Sequence, residues 1–285
     1  MPTLPACDHL DERQFLLAIR RMADSVQYGV DRSPFFGAGV EFVQARPYQA
    51  GDPVKLIDWR VTARTGRLHV KEYEAPKRMP VYLLLDTSAS MCVSSRQRSK
   101  YSWAVHLAGG LALAALARLS PVGLLGCGAR ALHIRPSLSR ATVLQWLAQL
   151  RHYQADEVTT VGEKLRTLAP AMDSRCVMIV LSDLHDPDSV PALQIAAQRH
   201  DCIVLQLQDP AEHGGMGGGV FRAREAETGH AFVAHGYRRW CDPLAAQRML
   251  RRAGVDCLVL RTDEHFLPRV RDFLQQRDCL GRGAR

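Results

Sequence analysis

The stretch VYLLLDTSASM, Val81 to Met91, shows the type of fold most directly. Five strand-like apolar residues end at Asp86, and Ser88 and Ser90 follow at two-residue spacing. Residues i, i+2 and i+4 share one side of an extended or gently turning loop. The spacing therefore predicts that one carboxylate and two hydroxyls converge just beyond the end of a buried strand.

Strand-like and helical segments alternate from Met79 onward. We predict strands at 81–86, 122–127, 131–135, 176–183, 202–208 and 256–261, and helices at 100–119, 140–151, 161–172, 190–199, 242–253 and 264–277. Apolar strands that lack a polar–apolar alternation, separated by helices, are typical of a mostly parallel sheet covered on both faces. The pattern predicts an α/β, Rossmann-like domain over residues 79–285, with a glycine run and a β-hairpin inserted between His213 and His235.

Residues 1–78 have a different character. An amphipathic helix is predicted from Asp11 to Tyr28, and its apolar face consists of Phe15, Ile19, Met22 and Val26. Residues 29–80 are rich in turns and in alternating β-type segments. We expect them to form either a small β unit or an extended arm packed on the main domain.

Charge and hydropathy limit the classes of function. The net charge is +8, from 37 basic and 29 acidic residues, but no run of Lys and Arg exceeds a pair. No basic stretch is interleaved with aromatic residues, so we expect no nucleic-acid binding. The most apolar segment, Trp103 to Leu119, is shorter than the roughly 20 residues of a membrane span. We expect no integral membrane segment and, from the N-terminal sequence, no signal peptide.

The cysteine pattern indicates a reducing compartment. The chain has eight cysteines and no CxxC pair. Cys127, Cys176, Cys202 and Cys257 lie in apolar, strand-like segments. We interpret them as reduced core thiols, which are typical of a cytoplasmic protein.

Oxygen-bearing side chains follow several predicted strands. Asp86 and Asp183 each end a strand, and Thr159 and Thr160 directly precede a predicted helix. Ligands of open α/β sheets gather beyond the carboxyl ends of the strands. A set of carboxylates and hydroxyls suits a hard cation, so we predict a Mg²⁺ site, with Mn²⁺ or Ca²⁺ as alternatives.

The DTSAS motif resembles the metal-ion-dependent adhesion site of von Willebrand factor A domains. The resemblance assigns Asp86, Ser88 and Ser90 to its first loop, Thr159 in TTVGEKL to its second, and Asp183 in LSDLHD to its third. It implies a non-catalytic interaction domain whose bound metal accepts an acidic residue of a partner or client.

A second resemblance covers nearly the whole chain. The segment GVEFVQARPYQAGDPVKLIDWRVTAR, Gly39 to Arg64, is similar to the signature of a bacterial family called domain of unknown function fifty-eight. That resemblance implies an adaptor or chaperone-like partner of a MoxR-type AAA+ ATPase. By itself the segment has a structural interpretation: Asp52 in a turn, Asp58 or Glu41 paired with Arg46 or Arg64, and Trp59 buried against the main sheet.

Other interpretations of the same residues stay open. Asp86 or the serines would also serve as helix caps in an ordinary strand–helix turn. Asp186 or Asp188 is expected to cap the following helix, with His185 exposed. As a different class of function, Asp86, Asp183 and His185 would form the site of a metal-dependent phosphohydrolase.

Overall fold

The computed structural model describes residues 10–27, 41–74, 79–213, 219–235 and 245–279. The strands are β1 (Glu41–Pro47), β2 (His69–Glu74), β3 (Val81–Leu85), β4 (Val122–Gly126), β5 (His133–Ser137), β6 (Val177–Ser182), β7 (Asp201–Gln208), β8 (Val220–Arg224), β9 (Ala231–His235) and β10 (Asp256–Arg261). The α-helices are α1 (Glu12–Gln27), α2 (Trp59–Thr65), α3 (Lys100–Ala117), α4 (Arg140–Arg151), α5 (Val161–Ala171), α6 (Ser189–Ala196), α7 (Pro210–His213), α8 (Ala245–Arg252) and α9 (Leu267–Cys279). Tyr28, Gly39, the glycine run at 214–218 and the junction at 75–78 lie outside the described residues.

Six of the described strands form one sheet in the order β10-β7-β6-β3-β4-β5. All neighbours pair in parallel except β4 and β5, which are antiparallel. The predicted α/β class with a mainly parallel sheet is confirmed. The outermost strand β5 contains Pro136 and starts two residues later than predicted, and its register against β4 shifts between Val122 and Leu124.

Burial of both sheet faces explains why the central strands are apolar throughout. Every residue of β3, β4 and β6 is buried. Val81, Leu83 and Leu85 point into a core shared with α1, α3, α4 and α9. Tyr82 and Leu84 point into the opposite core, which includes residues of α5, α6 and α8. Helices thus cover both faces, as the sequence pattern predicts.

Helix α3 is buried nearly all round because α1 and α4 pack against it on the side away from the sheet. Two glycines permit the close approach of α1. A Cβ at Gly109 would lie 2.9 Å from Ile19 Cδ1, and one at Gly110 would lie 2.7 Å from Met22 Cγ. Phe15, Ile19 and Met22 are buried, so the predicted apolar face of α1 is confirmed for these residues. The side chain of Val26 lies outside the described residues.

The family-signature segment contains strand β1, which pairs antiparallel with the following strand β2. It also contains most of a helix, α2, that the sequence pattern did not predict. Asp52 lies in a turn and makes two hydrogen bonds of 2.7 Å with Arg46. Asp58 caps α2 by accepting from the N–H groups of Arg60 and Val61 at 3.0 and 3.2 Å. The expected burial of Trp59 is wrong, because Asp58 turns inward to cap the helix and Trp59 is left 64% exposed.

We expect Ile19→Ala to lower the free energy of unfolding by about 2–4 kcal/mol, because it leaves a cavity between α1 and α3. Leu17 lies on the same helix and is 49% exposed, so Leu17→Ala is the matched control, with an effect within about 0.5 kcal/mol. Urea denaturation of the full chain measures both variants. Equal losses in the two variants would mean that α1 does not stay docked on α3 in solution.

Candidate metal centre

The two strand-end aspartates meet where the chain reverses its direction across the sheet. From β3 the chain moves outward to β4 and β5, and from β6 it moves the opposite way to β7. Loops that leave adjacent strands in opposite directions open a crevice at the carboxyl edge. Asp86 follows β3, Asp183 follows β6, and both side chains are buried. The prediction that they share one edge is confirmed.

The loop after β3 turns its serines toward both carboxylates. The Ser88 N–H donates to Asp86 Oδ1 at 3.1 Å. A short 3₁₀ helix, Ala89–Cys92, then brings Ser90 back over Ser88, so that their hydroxyl oxygens are 3.0 Å apart. Ser90 Oγ donates to Asp183 Oδ2 at 2.9 Å. The DxSxS spacing thus brings its three side chains together through a helical turn.

The structure selects one of the two threonines that precede α5. Thr159 Oγ1 donates to Asp86 Oδ2 at 3.2 Å, whereas Thr160 Oγ1 donates to the carbonyl oxygen of Gly128 at 3.0 Å. The Thr159 backbone is held in turn by Glu227 of the β8–β9 hairpin, whose Oε2 accepts the Thr159 N–H at 3.1 Å. Thr159 thus contacts the Asp86 carboxylate, and Thr160 holds the loop beside the residues that follow β4.

The loop after β6 bends sharply at Leu184, whose φ of 60° lies in the left-handed region. Ser182 Oγ links the two aspartate loops, because it donates to Asp86 Oδ2 at 2.6 Å and accepts the Leu184 N–H at 2.9 Å. After the bend, His185 is exposed and its Nδ1 lies 3.3 Å from Asp183 Oδ2. A left-handed leucine costs of order 1 kcal/mol and is tolerated where the surrounding contacts fix the loop.

Asp186 has a different partner from the one expected. Neither Asp186 nor Asp188 caps α6 with a side-chain hydrogen bond. Asp186 Oδ2 instead accepts the N–H of Gly162, in the first turn of α5, at 2.7 Å. A Cβ at Gly162 would lie 2.7 Å from the carbonyl oxygen of Asp188, so glycine permits this contact between the start of α5 and the loop before α6. Asp188 stands at the N-cap position of α6 as predicted, but its side chain makes no cap hydrogen bond, and Asp186 Oδ1 accepts the Asp188 N–H at 2.9 Å.

Two charged residues of the centre were missed from the sequence. Lys100, the first residue of α3, is buried, and its Nζ lies 2.7 Å from Asp183 Oδ2. The ammonium also donates to Glu212 Oε1 on α7, directly after β7. In the segment LQLQDP a strand ends at Asp209, as other strands end at Asp86 and Asp183. The same pattern would therefore have pointed to the loop that carries Glu212.

Residues 44–239 match a protein family described as "Protein of unknown function DUF58". The chain belongs to this family. Two proteins are similar to this DUF58 chain along nearly its whole length: Uncharacterized protein Mb1516 of Mycobacterium bovis and Uncharacterized protein Rv1480 of Mycobacterium tuberculosis. Each is 25% identical over 279 residues, which cover 93% of this chain and 88% of the relative.

Solved structures give weaker matches to this DUF58 chain. BatB from Bacteroides thetaiotaomicron has a TM-score of 0.47 at 15% identity, and covers 70% of this chain and 99% of its own. The SpRpn10 VWA domain has a TM-score of 0.40 at 9% identity, and covers 67% of this chain and 93% of its own. Within the described residues, no helix is long and apolar enough to cross a membrane.

The two aspartates of this DUF58 protein differ in their electrostatic surroundings. Burial and the neighbouring charge of Asp183 raise the pKa of Asp86 to about 6. Burial alone would raise the pKa of Asp183 too, but the charges of Lys100 and His185 outweigh it and lower that pKa. Among the described residues, the hydrogen-bond donors to Asp86 are neutral. Asp183 has a cation beside it, whereas no cation among the described residues contacts Asp86.

The donor set of the centre fits a hard divalent cation. Asp86, Thr159, Ser88, Ser90 and Asp183 are connected through contacts of 2.9–3.2 Å and offer only oxygen atoms. Carboxylate and hydroxyl oxygens are ligands of Mg²⁺, Mn²⁺ and Ca²⁺. A cation would also supply the positive charge that the surroundings of Asp86 lack. Beside this set, ligand atoms of Asp183, His185 and Glu212 lie within 4.8 Å of one another.

We expect the raised pKa of Asp86 to make stability depend on pH when divalent cations are removed. The folded state keeps this proton up to about pH 6, whereas a free aspartate has a pKa of 3.8. The contribution of Asp86 to stability is therefore complete below pH 3.8 and is lost as pH rises through about 6. The full loss is about 2–3 kcal/mol, at about 1.4 kcal/mol per pKa unit.

Asp86→Asn removes this titration and serves as the reference. In EDTA, the free energy of unfolding of the wild type relative to that of Asp86→Asn should fall between about pH 4 and about pH 7. Urea denaturation across this range measures the difference. A difference that does not change with pH would contradict the assignment of the raised pKa to Asp86.

Proposed function

We propose that this DUF58 protein is a non-catalytic, metal-dependent interaction module. In this proposal Asp86, Ser88, Ser90, Thr159 and Asp183 hold Mg²⁺, and the ion binds an acidic residue of a partner or client. The observation that carries the proposal is the meeting of these oxygen-bearing side chains from three separate loops at the carboxyl edge of the sheet. The resemblance of DTSAS to a metal-ion-dependent adhesion site supports the same ligands.

The chemistry of the proposed ligands explains why such a site would recognise a carboxylate. Ser88, Ser90 and Thr159 are neutral, so they orient an ion without cancelling its charge. The positive charge of Lys100 offsets part of the negative charge of Asp183, because Lys100 Nζ lies 2.7 Å from Asp183 Oδ2. When bound, Mg²⁺ would supply residual positive charge and water-filled coordination positions that an incoming carboxylate can take.

We further propose that the partner is a MoxR-type AAA+ ATPase, or a client that such an ATPase acts on, in the cytoplasm. Membership of the DUF58 family supports the choice of partner, because the family resemblance implies an association with MoxR-type AAA+ ATPases. Five described cysteines, Cys92, Cys127, Cys176, Cys202 and Cys257, are free thiols, which supports a reducing compartment. In this role the protein acts as an adaptor and carries out no chemistry on its client.

We expect Mg²⁺ to raise the stability of the wild type and not that of Asp86→Ala. A ligand that binds only the native state adds about 1.4 kcal/mol at tenfold excess over Kd. Thermal unfolding in Mg²⁺ and in EDTA measures the shift. Asp52→Ala is the matched control. It also removes a carboxylate, but from a turn that does not belong to the proposed metal centre, so this variant should keep the full Mg²⁺ response. Identical melting of wild type and Asp86→Ala in both buffers would remove the metal from the proposal.

The hydroxyls should matter for the partner as well as for the ion. We expect Ser88→Ala combined with Ser90→Ala to weaken Mg²⁺ binding and partner capture together, since metal and partner strengthen each other by one coupling factor. The measurement is a pull-down against a co-encoded AAA+ ATPase, with wild type and double variant in Mg²⁺ and in EDTA. Equal capture in all four arms would place the docking surface elsewhere, for example on the Gly39–Arg64 segment or on α8.

A further inference from the structure

Lys100 occupies an unfavourable position for a cation. Its side chain is 0% exposed, and it is the first residue of α3, directly after the cap Ser99. The N-terminus of a helix carries a partial positive charge, and burial removes the water that would solvate an ammonium. Both effects oppose a lysine here, so its charge must be matched by carboxylates close to it.

Those carboxylates follow two neighbouring strands. Lys100 Nζ lies 2.7 Å from Asp183 Oδ2, after β6, and it also donates to Glu212 Oε1, on α7 after β7. Glu212 is itself positioned, because its Oε2 accepts the N–H of Asp209 at 3.2 Å. Burial lowers the pKa of Lys100, but the charges of Asp183 and Glu212 more than compensate, and the pKa is raised. The ammonium therefore bridges two strand ends.

The bridge uses Asp183, one of the carboxylates that would hold the metal in the proposed centre. Asp183 Oδ2 accepts from Ser90 Oγ at 2.9 Å and from Lys100 Nζ at 2.7 Å. Asp86, Asp183 and Glu212 carry three negative charges when ionised and Lys100 carries one positive charge, which leaves a balance of two negative charges. A divalent ion matches that balance, but it would stand close to an ammonium of the same sign.

We infer that Lys100 is an internal cation that shares Asp183 with the divalent ion and limits the affinity of the centre for metal. This inference rests on the proposed metal-dependent function. Without a divalent ion, Lys100 neutralises Asp183 and keeps the buried carboxylates compatible with folding. With an ion bound, Glu212 is the second carboxylate that retains the ammonium. Glu212 thereby becomes a positioning residue of the centre.

The test is Lys100→Met, which keeps the apolar stem and removes the charge. With Mn²⁺ alone as the probe, we expect this variant to bind at least tenfold more tightly than the wild type in calorimetric titration, a change of about 1.4 kcal/mol. In EDTA its melting temperature should fall below that of the wild type, and Mn²⁺ should restore it. Lys100→Arg retains the charge and should bind Mn²⁺ like the wild type. Lys55→Met removes an exposed lysine and controls for net charge.

A second comparison applies if Lys100→Met does not fold. Glu212→Gln leaves the ammonium with Asp183 as its one carboxylate partner among the described residues, so it should bind Mn²⁺ more weakly than the wild type. The double variant Lys100→Met with Glu212→Gln lacks both charges of the bridge. It should bind Mn²⁺ at least tenfold more tightly than Glu212→Gln. Equal affinities of these two variants would overturn the inference.

The outcomes separate the inference from the proposed function. Tighter Mn²⁺ binding by Lys100→Met, with no measurable binding by the wild type, would support the inference and overturn the metal-dependent function of the wild type. Equal affinities of wild type and Lys100→Met would overturn the inference and leave the proposed function standing. Absence of Mn²⁺ binding in both proteins would overturn both.

Discussion

Two carboxylates buried side by side are the constraint on which the carboxyl edge of the sheet depends. Asp86 and Asp183 end adjacent parallel strands, and neither side chain reaches bulk water. Removal of an ionised carboxylate from water costs several kcal/mol even after the protein relaxes. The surrounding polar residues offset that cost: Ser88, Ser90 and Thr159 through hydrogen bonds, and Lys100 through its charge.

The cost of burial is offset to different extents for Asp183 and Asp86, and this difference connects the structure with the proposed function. The charge of Asp183 is matched inside the protein, whereas the donors to Asp86 among the described residues are neutral. Within the described part of the chain, the centre therefore folds with a negative charge that no cation of the protein neutralises. A divalent ion would complete the balance, and the neutral hydroxyls would leave it able to bind one more carboxylate. Lys100 would keep that binding reversible, since it competes for Asp183.

Much of the fold could be predicted because hydrophobic burial dominates it. Apolar strands such as Val81–Leu85 have few alternatives to the middle of a parallel sheet, and an aspartate at the end of a strand must lie at the carboxyl edge. Local pattern placed Thr159 and Thr160 together before a helix, and the resemblance to the adhesion site assigned Thr159. In the structure the Thr159 hydroxyl donates to Asp86, whereas that of Thr160 donates to a backbone carbonyl.

The remaining features depend on contacts between segments that are distant in the sequence. Lys100 is 83 residues from Asp183 and 112 from Glu212, so no local pattern in the sequence links this lysine to the strand-end carboxylates. Asp186 or Asp188 was expected to cap α6, but the close approach at Gly162 brings the Asp186 carboxylate to the Gly162 N–H in the first turn of α5. Trp59 was expected in the core because it is large and apolar, yet the inward turn of Asp58 decides its exposure.

The irregular strand β5 has a consequence for how this protein meets other molecules. An exposed sheet edge is a template for β-augmentation, in which a foreign strand extends the sheet. Pro136 removes one backbone donor from this edge, and the register shift opposite β4 disturbs the spacing of the others. Both features are means by which natural sheets discourage such growth. Sheet growth at the β5 edge is thereby discouraged, so a partner that meets this edge would contact the side chains of β5 rather than pair with its backbone.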